Sequence, residues 1–385
     1  MKIIGIAGYH ITLPVEGSAN NSKNQTGTYL VKVATDGGLV GYGECPTAFG
    51  ARGLLKLAGE NILGADPTEV LNIMDTQLLG KENALTPAAV NPNLKMSCEL
   101  SAVEFALLDI VGKSTKLPVK NFLGGPLRKK VALADRIGQM PVNECLRRVE
   151  ADIAKGIKTI TLNISANGTE DIELLRELRN RFGMELIIRL DAGGTWESVP
   201  EAARILSRME PFNIQYVQDA LNRSDGESFK RLRDVTGIPM AAGKAFSGNQ
   251  LTAREARVRL MELIRDGVID VLAINPAEAG GLNSFTKLAA MCNGASVNIV
   301  VGNARGGISQ AIWVTACIVC KSTAYAHDIL LTGMPGGVSK DISAKAMTYA
   351  DGYIQACDEP GFGAEPDWDV VKTHCISIEQ IGDIK

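Results

Sequence analysis

Two rhythms of apolar and polar residues divide the chain. Over Lys2–Pro14 and Thr28–Ala34 apolar and polar positions alternate, the period of a half-buried strand. The stretch ATDGGLVGYGE supplies glycines for a bend and predicts a hairpin. Apolar residues then recur at helical spacing across Gly53–Leu79 and Cys98–Gly112, and Leu117-Pro118 and Gly124-Gly125-Pro126 punctuate the end of this region. From Val131 a strand–helix rhythm sets in. Candidate strands are Val131–Ala134, Thr159–Asn163, Leu186–Asp191, Ile214–Gln218, Pro239–Ala242, Asp270–Ile274 and Asn298–Gly302. Amphipathic stretches such as Asn143–Lys155, Thr169–Arg181, Pro200–Met209 and Leu251–Asp266 lie between them. Even spacing of this kind predicts a parallel α/β barrel, with a doubly wound sheet as the alternative. The last segment, DGYIQACDEPGFGAEPDWDVV, returns to turns and short strands and is expected to fold back onto the first region.

In a parallel barrel the C-terminal strand ends share one rim, where active sites collect. Asp191, Gln218 and Lys244 fall at such ends, one strand–helix step apart. An acid, an amide and an ammonium would then meet although they are distant in sequence. Composition narrows what they can serve. With 385 residues, 45% apolar and 22% charged, the chain has the make-up of a globular protein with a sizeable core. A net charge of −3 and the absence of a basic stripe argue against a nucleic-acid partner. The longest apolar stretch, near Ala311–Cys320, is too short for a membrane span, and MKIIGIAGYHITLP resembles no signal peptide, so a cytoplasmic location is expected. Eight cysteines are scattered, and the one Cys-x-x-Cys spacing, Cys317 and Cys320, lies in a helical stretch that reads as core. Only His10, His327 and His374 occur, none at a predicted strand end, which argues against a histidine-centred mechanism.

Several longer signatures carry a resemblance. LSAVEFALLDIVGKSTKLPVKNFLGG runs from Leu100 to Gly125, followed by GIKTITLNIS, RLDAGGTW, IPMAAGKAF, DVLAINPAEAGGL and DGYIQACDEPGFGAEPDWD. In content, order and spacing the chain resembles the enolase superfamily, in its mandelate racemase and muconate lactonizing branch, over essentially its whole length. The resemblance implies a modified (β/α)8, TIM-like barrel at 129–325. It implies an α+β capping domain at 1–128, completed by a C-terminal segment at 326–385. It also implies one magnesium ion held by carboxylates at the third, fourth and fifth strand ends. The ion stabilises an enolate formed by removing the proton alpha to a substrate carboxylate. That proton is a very weak acid, so concentrated positive charge and a base poised near neutral pH are both needed.

The ligand positions map to Asp191, Gln218 and Lys244, and only the first is a carboxylate. Gln218 offers an uncharged oxygen. Lys244 has three donors and no acceptor, and would repel an ion by several kcal/mol, on the order expected at an intermediate dielectric. No family-type magnesium and no other cofactor is therefore expected. Asp219 is a substitute ligand only if its strand end is distorted, since neighbouring strand residues face opposite ways. The usual Lys-x-Lys of the second strand is Thr161-Leu162-Asn163, so its base maps to Asn163; the sixth-strand base maps to Asn275. The seventh-strand histidine is absent, and GNARGG places Asn303 and Arg305 there.

What remains is a polar rim of Arg136, Asp191, Asp219, Lys244 and Arg305 with Asn163, Gln218, Asn275 and Asn303. Lys244 has three readings. It fills the metal hole as a salt bridge to Asp191, it binds an anionic substrate or oxyanion, or it forms a Schiff base. The last ranks lowest, because an adjacent carboxylate keeps the amine protonated. Two functions follow. One is a metal-independent isomerase, epimerase or lyase (a dehydratase included) acting on a small carboxylate. Arg136, Lys244 and Arg305 would then supply charge, Asp191 or Asp219 the base, and the amides would orient substrate. The other is a catalytically silent binding or scaffold protein. A homo-oligomer is implied by the resemblance, and substrate choice is expected to come from capping loops near Glu16–Thr26 and Thr47–Arg52.

Overall fold

The computed structural model describes residues 1–16, 25–46, 59, 61–74, 98–222, 226–243, 253–304, 307–335 and 337–384. Lys244, Arg305, residues 53–58, 60 and 75–79 of the 53–79 stretch, and the capping segments 17–24 and 47–52 lie outside the described residues. The alternating N-terminal stretches form strands β1 (Ile3–Pro14), β2 (Gln25–Thr35) and β3 (Val40–Pro46), an antiparallel meander. The bend between β2 and β3 is made at Gly37 and Gly38, Gly38 having a positive φ of 77°. Gly41 and Gly43, by contrast, lie within β3 and serve a close approach. A Cβ on them would come within 2.1 Å and 2.0 Å of the carbonyl oxygens of Ala106 and Ala102. Those two residues belong to α1 (Cys98–Thr115), whose apolar residues Ala102, Val103, Phe105, Ala106 and Ile110 are buried.

The strand–helix rhythm produces the barrel, with one shift at its start. Residues Lys130–Ala132 form β4, which pairs with a later hairpin, and the first barrel strand is β5 (Ala134–Ile137). Next come α2 (Val142–Ala154), β6 (Thr159–Asn163), α3 (Thr169–Phe182), β7 (Ile187–Asp191), α4 (Val199–Met209) and β8 (Ile214–Gln218). The series continues through α5 (Gly226–Arg233), β9 (Met240–Ala242), α6 (Ala253–Arg265), β10 (Val271–Ala273), α7 (Leu282–Gly294) and β11 (Asn298–Val300). β5 to β11 lie side by side in chain order as one parallel sheet.

Closure comes from short pieces. β12 (Gly302–Ala304) leads into α8 (Ile308–Val319), and β13 (Asp328–Ile329) pairs with β12. The Asp328 amide donates to Val301 O at 3.0 Å, and the Ala134 amide donates to His327 O at 2.8 Å. The eighth strand is thereby bonded to both neighbours, which makes a modified TIM barrel. A hairpin, β14 (Tyr349–Ala350) and β15 (Tyr353–Gln355), then covers β4. After α9 (Trp368–His374), β16 (Cys375–Gly382) returns to pair with β1 and extends the capping sheet. The capping domain is thus built from both ends of the chain. Among the described residues no helix is long and apolar enough to cross a membrane. Cys317 and Cys320 are buried in or just after α8, and burial raises both thiols, Cys320 to about 11, as in inert core cysteines.

Candidate active site

Strand periodicity decides what faces the barrel axis. In β7 Ile188 and Leu190 are buried on one face while Arg189 and Asp191 share the other. In β5 Asp135 turns outward, where Arg148 of α2 holds it, and Arg136 turns inward. Register then aligns the ends: Asn163 lies opposite Asp191, and Asp191 opposite Gln218. The acid and the two amides form one row across the rim.

Arg136 ties that row to the barrel seam. Its Nη1 donates to Asp191 Oδ2 at 2.5 Å and to Asn163 Oδ1 at 3.3 Å. Its Nε and Nη2 both donate to Asp328 Oδ2, at 3.1 Å and 2.7 Å. The other oxygen of Asp328 accepts from the Thr161 hydroxyl at 3.0 Å and lies 3.9 Å from Arg189 Nη1. Arg189 is 1% exposed, stacked near the rings of Tyr216 and Tyr325, with Gln215 and the Ala326 carbonyl as acceptors. The result is a charge-balanced chain, Arg189–Asp328–Arg136–Asp191. Burial opposes the Arg136 charge, but Asp328 and then Asp191 outweigh it and raise its pKa above the ordinary arginine value.

The neighbouring strand end is distorted. Asp219 has φ 48°, an uncommon conformation for a residue with a side chain, and it is 2% exposed. The turn brings Asp219 beside Gln218: its Oδ2 accepts from Gln218 Nε2 at 3.2 Å and its Oδ1 from the Gly243 amide at 2.8 Å. This distortion is the condition under which Asp219 was expected to come round beside Gln218. Gln218 Oε1 points elsewhere, buried and without a hydrogen-bond partner among the described residues. Asp191 Oδ1 accepts from the Gly193 amide at 2.8 Å. Among the described residues no three or more His, Cys, Asp or Glu side chains are grouped to share a metal ion.

Across the rim, Asn275 is 1% exposed and Asn303 stands on β12 with φ 64°. They meet at a residue the sequence did not single out, Glu278. Its Oε2 accepts from the Asn275 amide at 3.2 Å and its Oε1 from Asn303 Nδ2 at 3.4 Å, while its own amide donates to Asn275 Oδ1 at 3.0 Å. Burial raises the Glu278 pKa, against the smaller pulls of these hydrogen bonds. Asp328 was also missed, because a two-residue strand carries no periodic signal. His327, next to it, lies on the eighth strand but is not available for chemistry. Its Nδ1 accepts from the Val301 amide at 3.0 Å, its Nε2 faces Thr323 O at 3.3 Å, and burial lowers its pKa to about 3.

Residues 6–124 match the family described as mandelate racemase / muconate lactonizing enzyme, N-terminal domain, and residues 144–370 match enolase C-terminal domain-like. The chain is 25% identical to a cis-3-hydroxy-L-proline dehydratase of Roseibium aggregatum, over 96% of this chain and 98% of that protein. It is 22% identical to the N-succinyl-L-Arg/Lys racemase of Bacillus cereus, with 97% of each covered. The crystal structure of that racemase superposes with a TM-score of 0.81 at 21% identity, covering 99% of this chain and all of that one, 100%. An L-talarate dehydratase from a Polaromonas species, complexed with Mg and L-glucarate, gives a TM-score of 0.79 at 21% identity, covering 100% and 99%. At such identity the structural likeness establishes the fold alone.

Proposed function

The chain belongs to the enolase superfamily, in its mandelate racemase and muconate lactonizing enzyme branch. From that premise we propose that it is a proton-transfer enzyme acting on a small carboxylic acid without the magnesium typical of the branch. The observation that carries the reading is the grip of Arg136 on Asp191. The one carboxylate left among the three ligand positions already bears a guanidinium and the Gly193 amide. A divalent ion would have to displace a fixed cation and then accept an amide and an ammonium as its remaining partners. The donor set does not fit the ion. Gln218 Oε1 fits an organic donor better: a buried acceptor left unsatisfied costs about 1–3 kcal/mol, which a substrate hydroxyl or the Lys244 ammonium would relieve.

The substrate class follows from the relatives, whose names give a hydroxyproline, an N-succinyl amino acid and a glucarate, all carboxylic acids. In this reading Lys244 and Arg305 supply positive charge for the carboxylate, and the Asn163–Gln218 row orients its hydroxyls. The product is an isomer, an epimer or a dehydrated acid. The enzyme is taken to be a cytoplasmic homo-oligomer; a monomer in sedimentation at micromolar concentration would remove that part.

One specific feature favours the silent alternative: the charge chain at the rim is already neutral and closed. Two measurements decide. Magnesium titration should leave the wild-type melting temperature unchanged, whereas a ligand stabilises by RT ln(1 + [L]/Kd). The double variant Gln218→Glu/Lys244→Glu should gain a magnesium-dependent rise. Incubation in D2O with a library of hydroxy and amino acids should wash deuterium into at least one alpha position. A wild type stabilised by millimolar magnesium would sink the metal-free claim. A wild type that exchanges no acid would leave the scaffold reading standing.

A further inference from the structure

The branch keeps one base at the end of the second strand and another at the end of the sixth, and both positions here are asparagines, Asn163 and Asn275. Asp191 and Asp219, the carboxylates within reach by sequence, are each occupied on both oxygens by donors of this chain. A proton acceptor for the sixth-strand side must therefore come from elsewhere.

We propose that Glu278 is that group, the side chain that takes and returns the alpha proton of the substrate. The assignment rests on the carboxylic-acid reading above. Three observations support it. First, Glu278 sits three residues beyond Asn275, in a turn folded back so that its carboxylate lies between Asn275 and Asn303, at the ends of the sixth and seventh strands. Second, no lysine, arginine or histidine pairs with it among the described residues. Its partners are one backbone amide and one carboxamide, both at long distance, which leaves lone pairs free for a proton. Third, the capping domain roofs the turn. Ser101 of α1 donates to Ala277 O at 3.0 Å, and Glu104 of α1 accepts from the Asn283 amide at 3.0 Å. Gly281 is required here, since a Cβ on it would strike the Glu104 carboxylate. The charged group that α1 brings to the turn is thus an anion, which gives Glu278 no counter-charge. Glu278 itself is half-buried.

The step balances simply. Glu278 as carboxylate forms an O–H bond as the alpha C–H bond breaks. The electron pair enters the bond to the carboxyl carbon and rests on the substrate's carboxyl oxygens. Return of the proton to the alpha carbon from the same face restores the substrate, which is the exchange read in D2O. Alternatively, the proton held by Glu278 passes to a β-hydroxyl, which leaves as water while the electron pair forms the α,β double bond of a dehydrated acid.

A reciprocal lock of the Asn275–Glu278 turn is the purely structural alternative, and the experiment separates the two. Wild type, Glu278→Gln and Glu278→Asp are compared for alpha-proton exchange in D2O and for substrate binding. In parallel, glutamate labelled with 13C at the carboxyl is titrated by NMR. Glu278→Gln should lower exchange by about 100-fold or more with binding retained, and should abolish the acid limb of the pH profile. Glu278→Asp should recover part of the rate. The resonance missing in Glu278→Gln should titrate above the ordinary glutamate range. An active wild type matched by Glu278→Gln overturns this assignment alone, as does a resonance titrating in the ordinary range. A wild type inert to every acid overturns the assignment together with the function it rests on.

Discussion

Arg136 shows how much one side chain settles at the rim. It serves two carboxylates on strands far apart in sequence, Asp191 and Asp328, and its side chain is 27% exposed while theirs are 10% and 2%. Among the described residues, removing it would leave Asp328 with Arg189 at 3.9 Å and the Thr161 hydroxyl, and Asp191 with the Gly193 amide. Arg136→Met is therefore expected to cost about 3 kcal/mol in urea unfolding, and Asp191→Asn in the same background should recover part of that. Additive losses in the two variants would show that the pair does not interact as described. The residue was legible as a rim cation, because it ends a strand. That it would be spent on Asp328 was not, since a contact between the first and eighth strands has no local trace.

At the level of elements, the capping sheet and the barrel meet through Glu44. β3 carries its carboxylate to the first turn of α8, where the Ser309 amide donates to Oε2 at 2.7 Å and Thr28 Oγ1 donates to Oε1 at 2.6 Å. Burial raises the carboxyl from 4.5 to about 7, against those two hydrogen bonds, and Asp341 adds to the rise. The folded protein thus holds a proton that the unfolded chain releases. The resulting stabilisation is complete below about pH 4.5 and is lost as pH rises through about 7. Relative to wild type, Glu44→Gln should gain about 3 kcal/mol across that window, read from urea midpoints at several pH values. Parallel profiles for the two proteins would mean that Glu44 is not buried as described. The GYGE stretch that contains it was visible as a strand following a bend. Its glycines proved to be helix-packing sites, which only the approach of α1 reveals.

For the molecule as a whole, the barrel seam makes the opposite prediction. His327 joins the first, seventh and eighth strands as a neutral ring, accepting from the Val301 amide. Burial, and then the charge of Arg189, lower its pKa from 6.5 to about 3. Its contribution is complete above about pH 6.5 and fades as pH falls towards 3, when the ring must take a proton. His327→Gln, which keeps an acceptor for Val301, should lose less stability than wild type between pH 6.5 and 4, by about 3 kcal/mol. Equal acid sensitivity of the two proteins would argue against a buried neutral imidazole. Because Glu44 and His327 slope in opposite senses between about pH 4.5 and 6.5, each variant should unmask the other group.

Local sequence determined the elements that repeat. Period-two strands and period-3.6 helices write their own burial pattern, so the barrel, the meander and the row Asn163–Asp191–Gln218 followed from residue order. Tertiary structure alone decided which groups neutralise one another. Val131 joined another sheet because a hairpin near the C-terminus reaches it. Asp328 took Arg136 because barrel closure brings the eighth strand to the first. Glu278 gained its position because a turn folds back beneath the capping helix. Each depends on a through-space contact between distant segments, and electrostatic interaction falls off with distance in space, whatever the separation along the chain.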